Sequence, residues 1–184
     1  MIQSPENYVL CEIEKKFQDD AGGIFIDHTW HPEEHATLEG VVISAPVRTI
    51  SDGYRKLVGT VKNGDKIFFS YGVIFNYILQ PEDDTAVYKN LVLFQGKEYW
   101  KVPIDEIFCK VTSEGVEMIT DNVLIEPDES GSLFKGKVVG MPNIKLSCKA
   151  GDIIYFESTY VQEYNFFGKK HFIIPARRVI AKAS

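Results

Sequence analysis

The chain of 184 residues contains one strand skeleton twice, and this repeat limits what it can fold into. NYVLCEIE near the start is similar to DNVLIEPDE in the second half, and EGVVISAP is similar to KGKVVGMP. KNGDKIFFS and KAGDIIYFE share a Gly-Asp pair, and KVPIDEIFCKV and IIPARRVIAKA share a proline and a lysine. The four pairs occur in the same order, which predicts two copies of one structural unit.

The separation between equivalent residues falls along the chain. It is 114 residues for Val9 and Val123, 96 for Pro46 and Pro142, 87 for Gly64 and Gly151, and 72 for Pro103 and Pro175. The second copy therefore lacks 18, nine and 15 residues in three successive connections. Because loops tolerate changes of length, a loop that stays long indicates where function lies. The predicted domains are 1–114 and 115–184, the second shortened in its loops.

The local pattern favours strands. Short runs of β-branched and aromatic residues alternate with Gly, Pro, Asn and Asp, which are strand and turn signals. No window of 11 residues keeps a 3.6-residue apolar period, so little helix is expected. The predicted class is all-β, built from small barrels.

Several classes of protein are disfavoured. A net charge of −6 argues against a nucleic-acid binder. No apolar run approaches the roughly 20 residues needed to cross a bilayer, and the first residues resemble neither a secretory signal nor a transit peptide. Cys11, Cys109 and Cys148 form no Cys-x-x-Cys pair and are interpreted as small apolar core residues.

No catalytic motif is present. The sequence has no Gly-x-Ser-x-Gly and no phosphate-binding loop, and His171, in a Lys-Lys-His strand, is predicted to be a surface residue and not a base. We therefore predict that the protein is not an enzyme and uses no cofactor or metal.

Each copy resembles a co-chaperonin of the GroES (chaperonin-10) family. The first copy carries YVLCEIEKKFQDDAGGIFI, EGVVISAP, VKNGDKIFFSYG and VPIDEIFCKV, and the second carries NVLIEP, KGKVVGMP, CKAGDIIYFESTY and IPARRVIAKA. The resemblance implies two tandem GroES-like irregular antiparallel β-barrels. It also implies a ring that caps a GroEL-type chaperonin cylinder and assists ATP-dependent folding without catalysis of its own. The source would be bacterial or a phage, and the location the host cytoplasm.

The resemblance assigns a mobile loop to about residues 19–39. Ala21, Gly22 and Gly23 would form its turn, and Ile24, Phe25 and Ile26 would enter a groove between two chaperonin helices. The residues support this use, because three adjacent large apolar side chains are costly to leave in water. Burying each stabilises by about 1.5–3 kcal/mol, whereas ordering the loop costs about 1–2 kcal/mol per residue. One loop would thus bind weakly and several on a ring would bind together.

Alternatives remain open for these and other residues. The triplet could be an ordinary barrel strand. His28, His31 and His35, with Glu33 or Glu34, have the donor types of a metal site, but Pro32 prevents a helix that would align them, which favours a solvated loop. The acidic run Glu82, Asp83 and Asp84 and the basic hairpin with Arg48, Tyr54, Arg55 and Lys56 are interpreted as solvated. The aromatic segment 160–172 is predicted to form a hairpin, with an inter-subunit contact as the alternative.

A second function is also compatible with the sequence. The same barrels could build a ring or a decoration in a larger assembly such as a virion. The negative charge and the absence of a long loop in the second copy fit this alternative.

Overall fold

The computed structural model of the chain describes residues 2–14, 20–21, 24–25, 38–46, 59–75, 77–79, 86–128, 134–157, 161–166 and 168–183. Strands dominate, which confirms the all-β class. The other regular elements in these ranges are a four-residue α-helix, Gly72–Phe75, and two 3-10 turns, Ile104–Glu106 and Ala176–Arg178. The strands are β1 (Tyr8–Glu12), β2 (Asp20–Ala21), β3 (Ile24–Phe25), β4 (Glu39–Ser44), β5 (Lys66–Phe69), β6 (Tyr77–Leu79), β7 (Ala86–Tyr88), β8 (Leu91–Phe94), β9 (Lys97–Pro103), β10 (Ile107–Thr112), β11 (Gly115–Met118), β12 (Asn122–Pro127), β13 (Lys135–Pro142), β14 (Ile153–Phe156), β15 (Gln162–Phe166), β16 (Lys169–Pro175) and β17 (Val179–Lys182).

The chain divides into two compact units. Unit one consists of Met1–Ser51 and Val61–Ile107, and unit two of Asp52–Thr60 and Phe108–Ser184. The division into domains 1–114 and 115–184 stays a prediction. In unit one the antiparallel order is β5-β4-β1-β9-β8, and β6 and β7 form a separate hairpin.

Unit two is an open mixed sheet and not the closed antiparallel barrel expected from the sequence. Its strands pair in the order β17-β14-β13-β12-β16-β15, and the end strands β17 and β15 are not paired with each other in the described residues. The length of β13 explains the mixed pairing. Lys135–Lys137 pair with β14, whereas Gly140–Pro142 pair in parallel with β11, which connects the two copies.

The predicted repeat is present in the hydrogen-bond register. In each copy the first strand pairs with the strand that ends in the proline shared by the two copies, at equivalent residues. The equivalent pairs are Tyr8–Pro103 and Asn122–Pro175, Val9–Val102 and Val123–Ile174, Leu10–Lys101 and Leu124–Ile173, and Cys11–Trp100 and Ile125–Phe172. Register shifts between the first strand and its other neighbour also recur, at Leu10/Cys11 and at Leu124/Ile125. We call the matched strands β1, β4, β5, β8 and β9, and β12 to β16, the shared frame.

The Gly-Asp pair of each copy forms the same turn. Gly64 has φ +87° and Gly151 has φ +89°, a region that residues with a Cβ rarely adopt. The aspartate backbone carbonyls accept equivalent bonds, from Val42 N–H at 2.9 Å and from Val138 N–H at 2.8 Å. Glycine is therefore required here by backbone geometry in both copies.

In unit two this turn is also held by charge. The Asp152 carboxylate accepts bonds from Lys182 Nζ and from the Lys149 backbone N–H, both at 2.9 Å, and these contacts lower the pKa of Asp152. A carboxylate with a lowered pKa in the folded state adds stability above its unfolded pKa and loses it as the pH falls through the folded value. We expect Asp152→Asn to lower the melting temperature at pH 7, and this deficit to disappear as the pH falls through the lowered pKa of the wild-type carboxyl, which is then protonated. Thermal unfolding followed by circular dichroism from pH 2 to 8 measures this, with Lys182→Met expected to show the same trend.

The cores of the two copies use equivalent positions. In unit two the core contains nine buried residues from four strands, a loop and the second 3-10 turn. Eight of them have buried equivalents in unit one. The matched residues are Val9 and Val123, Cys11 and Ile125, Val42 and Val138, Ile67 and Ile154, Phe69 and Phe156, Trp100 and Phe172, Val102 and Ile174, and Ile104 and Ala176.

All three cysteines are buried and unpaired, as the sequence indicated. Burial raises the pKa of the Cys11 thiol and of the Cys109 thiol from 9.0 to about 12. Because only the thiolate reacts, this shift alone lowers the reactive fraction at pH 8 by about 1,000-fold. We expect both residues to resist an aromatic disulfide reagent in native buffer and to react at once in 6 M guanidinium, as read by mass spectrometry of the labelled peptides. Rapid labelling of native Cys11 would contradict this burial.

Candidate functional site

The long connection of the first copy leaves the shared frame between two neighbouring strands. Strands β1 and β4 pair antiparallel, with Glu12 opposite Val41, so the connection leaves and returns at the same end of the sheet. It comprises the 26 residues 13–38 between Glu12 and Glu39. Eight residues, 127–134, join the equivalent positions in the second copy. The frame therefore folds with the short connection and does not require the additional 18 residues.

A short hairpin lies inside this connection. The backbones of β2 and β3 pair antiparallel, with Asp20 opposite Phe25 and Ala21 opposite Ile24. The pair forms a two-stranded sheet of its own, separate from the larger sheet. Gly22 and Gly23, which connect the two strands, and Ile26 lie outside the described residues, as do the side chains of Ile24 and Phe25. Their proposed contact with a chaperonin stays a prediction.

Ion pairs lie on both sides of the base of the connection. Lys97 Nζ on β9 lies 3.9 Å from Glu12 Oε1, and Lys66 on β5 pairs with Glu39. These side chains are substantially exposed, so each pair contributes little to stability. Glu12 and Glu39 thus lie at the two ends of the connection, and each is paired with a lysine on the strand next to its own.

The backbone at the base is closely packed. A Cβ built on Gly40 would lie 3.0 Å from Cys11 Sγ and 3.2 Å from the Glu12 carbonyl oxygen. The Cys11 thiol is directed at the Trp100 carbonyl oxygen, 3.6 Å away. The connection thus starts from a tightly packed part of unit one, which would fix the backbone where the loop begins.

The other predicted sites in the first copy lie outside the described residues. This holds for the possible metal donors His28, His31, His35, Glu33 and Glu34, for Glu82, Asp83 and Asp84, and for Arg48, Tyr54, Arg55 and Lys56. Within the part of the chain that the structure describes, no group of three or more His, Cys, Asp or Glu side chains is arranged to hold a metal ion. In the same ranges no helix is long and apolar enough to cross a bilayer.

The aromatic segment of the second copy forms the predicted hairpin. Strands β15 and β16 pair antiparallel from Gln162 opposite Ile173 to Phe166 opposite Lys169. His171 was predicted to be a surface residue, and this was wrong, because its side chain is 3% exposed. It lies opposite Tyr164 in the hairpin, its ring centroid is 6.1 Å from that of Phe166, and its Nδ1 lies 3.0 Å from the Lys169 carbonyl oxygen.

One surface was missed by sequence reasoning. Phe134, Tyr155 and Ile180 of unit two are exposed large apolar residues, and we call them the edge patch. Phe134 precedes β13, Tyr155 lies on β14 and Ile180 lies on β17. The sequences of these strands look ordinary, so composition alone does not indicate an exposed apolar surface. The three equivalent residues of the first copy are all buried, a difference between the copies that only the structure shows.

Comparison with known proteins adds no assignment, since no model of a protein family and no curated protein sequence matches the chain.

Proposed function

We propose that the protein is a co-chaperonin, a tandem GroES-like protein that caps a GroEL-type chaperonin cylinder and assists ATP-dependent folding without catalysis of its own. In this proposal each copy is a GroES-like module built on the shared frame, and Gly22, Gly23, Ile24, Phe25 and Ile26 form the docking segment. The chains act as an oligomeric ring in a bacterial or phage-infected cytoplasm. No nucleic acid, membrane, cofactor or metal takes part.

The observation that carries the proposal is the long connection. Two copies share one hydrogen-bond register, yet only the first has 26 residues where the second has eight. The additional length contains a separate hairpin whose second strand is Ile24–Phe25. Chain length that folding of the frame does not need, and that carries adjacent large apolar residues, is typical of a segment that binds a partner.

Weak individual docking suits a lid that must leave its partner in each cycle. A Gly-Gly turn allows the unbound segment many backbone conformations, so ordering it on a partner has an entropic cost. Burial of the apolar triplet offsets that cost only in part. Several such segments on one ring then give a firm but reversible attachment.

The experiment that tests the proposal is reconstitution with a chaperonin. The protein is mixed with purified GroEL-type cylinders and ATP, and the products are separated by sedimentation and imaged by electron microscopy. We expect additional density at the ends of the cylinders and faster recovery of a denatured client enzyme. A protein that leaves the cylinders bare would contradict the proposal. Co-sedimentation with virus particles instead would favour the structural alternative.

A further inference from the structure

A second connection of the first copy is also longer than its counterpart, and it returns through unit two. Residues 47–63, 17 in number, lie between Pro46 and Gly64, whereas the eight residues 143–150 lie between Pro142 and Gly151. Residues 47–58 are outside the described residues, and the returning end, 59–63, is described. Asp52–Thr60 belong to unit two, although they come from the first copy. The returning end of this connection is therefore partly built into unit two.

Two hydrogen bonds hold this end against the β10–β11 hairpin. The Gly59 N–H donates to the Ile119 carbonyl at 3.1 Å, and Lys110 Nζ donates to the Thr60 carbonyl at 2.7 Å. The Ile119 N–H in turn donates to the Phe108 carbonyl at 2.9 Å, so Ile119 is bonded both to β10 and to Gly59. We give the name anchor to this group of five residues, which are Gly59, Thr60, Lys110, Glu117 and Ile119.

The approach of the backbone at Gly59 leaves no room for a side chain. A Cβ at this position would lie 2.9 Å from the Met118 carbonyl oxygen and 3.1 Å from Ile119 Cα. Met118 is itself paired with Cys109 on β10, so its backbone is held in place. Close approach of one backbone to another is a position that glycine suits. The contact is thus specific to the residue present at position 59.

The lysine of the anchor is buried, which is uncommon for this residue type. The Lys110 side chain is 10% exposed, whereas that of Lys182, its equivalent in the second copy, is 44% exposed. Lys110 lies opposite Glu117 across the hairpin, with its Nζ 3.3 Å from Glu117 Oε2. A buried ammonium group is costly unless acceptors surround it. The carboxylate of Glu117 and the carbonyl of Thr60 supply them, which favours the arrangement that keeps Thr60 in place.

The second copy has neither the anchor nor the long connection. Strand β17 is the equivalent of β10, and within the described residues it pairs only with β14. Lys182 pairs with Asp152 of its own copy. The nine additional residues of the first copy therefore occur together with a strand, β11, that supports their returning end.

We infer that the second copy braces the first, with β11 as the support and Lys110 as the residue that positions the returning end of the 47–63 connection. The start of the connection is fixed separately in unit one, where the Ala45 N–H donates to Asn63 Oδ1 at 2.7 Å. The brace gives the second copy a role that needs no long connection of its own. The inference goes beyond the proposed function, and both of its tests are made without a chaperonin.

The first test measures hydrogen exchange of the Gly59 amide by NMR. Lys110→Met removes the ammonium group and keeps a long side chain, and it should make this exchange at least about tenfold faster, the effect of losing a charged hydrogen bond. The melting temperature should not fall, because an apolar side chain of similar size in place of a buried charge is often neutral or stabilising. Lys182→Met, the equivalent change in the second copy, should leave Gly59 exchange unchanged. Unchanged exchange in Lys110→Met would overturn the inference.

The second test approaches the anchor from the other side and leaves Lys110 in place. In the wild type, an acetylating reagent should modify Lys110 at least about tenfold more slowly than Lys182, because reaction requires local opening. Gly59→Ala should displace the returning end and remove most of this protection, as read by mass spectrometry of the modified peptides. The matched control is Gly72→Ala, whose Cβ would lie 3.6 Å from Ser70 Oγ and has room, and it should keep Lys110 protected. Equal labelling of Lys110 and Lys182 in the wild type, or continued protection in Gly59→Ala, would refute the brace.

Discussion

Replacing Phe25 by aspartate should lower the affinity of the protein for a chaperonin cylinder by at least about 100-fold. Loss of one buried phenylalanine removes about 1.5–3 kcal/mol per loop, and a carboxylate placed in an apolar groove adds a desolvation cost. Because several loops of a ring bind together, the losses multiply across the assembly. Surface plasmon resonance on immobilised cylinders, with ATP present, gives the two affinities.

The matched control is Phe25→Leu, which keeps an apolar side chain at the same position. We expect this protein to bind within about tenfold of the wild type, since it loses only part of the apolar surface. Both variants must retain the wild-type oligomeric mass, so that a loss of binding reports on the loop and not on assembly. Equal binding by the wild-type and Phe25→Asp proteins would refute docking through this segment.

Among the described glycines, Gly136→Ala should produce the largest loss of stability, because its Cβ would make the shortest contact. A Cβ at this position would lie 2.4 Å from Ile125 Cγ2 and 2.6 Å from the Glu126 carbonyl oxygen. Ile125 is fully buried in the core of unit two, so neither group has free space to move into. We expect a decrease of about 2–3 kcal/mol in the free energy of unfolding. Urea unfolding, combined with hydrogen exchange of the β12–β13 peptides, locates the effect in unit two.

Two comparisons make this result specific. Gly40→Ala, at the equivalent position of the first copy, should cost less, because its Cβ would lie 3.0 Å from Cys11 Sγ. Lys137→Ala, at an exposed neighbour on β13, should change stability by no more than about 0.5 kcal/mol. If Gly136→Ala were as stable as Lys137→Ala, the close packing of β12 on β13 would be wrong.

The sequence predicted the strand class and the repeat because both depend on local pattern. Turn residues such as Gly64 and Gly151 occur in the same order as the strands they connect, so alignment of the two halves matched the segments of β1 and β12. The fall of the offset from 114 to 96 also locates the long connection in the sequence.

Pairing between distant segments could not be predicted in this way. Strand β11 begins at the predicted domain boundary, and its parallel pairing with β13 depends on the additional length of β13 beyond β14. The burial of His171 depends on Tyr164 across a hairpin and on an aromatic cluster that includes Phe108, far away in sequence. Such contacts are decided by the fold as a whole, so the open sheet and the edge patch became visible only in three dimensions.

The recurrence of one register shift, at Leu10/Cys11 and again at Leu124/Ile125, has a consequence for how such a chain can evolve. The irregularity lies just before the point where one copy inserts 26 residues and the other eight, so both lengths begin from the same backbone geometry. The number of long insertions per polypeptide is thus independent of the frame from which they extend. Natural selection can lengthen, shorten or delete an insertion while the strands that carry it stay unchanged.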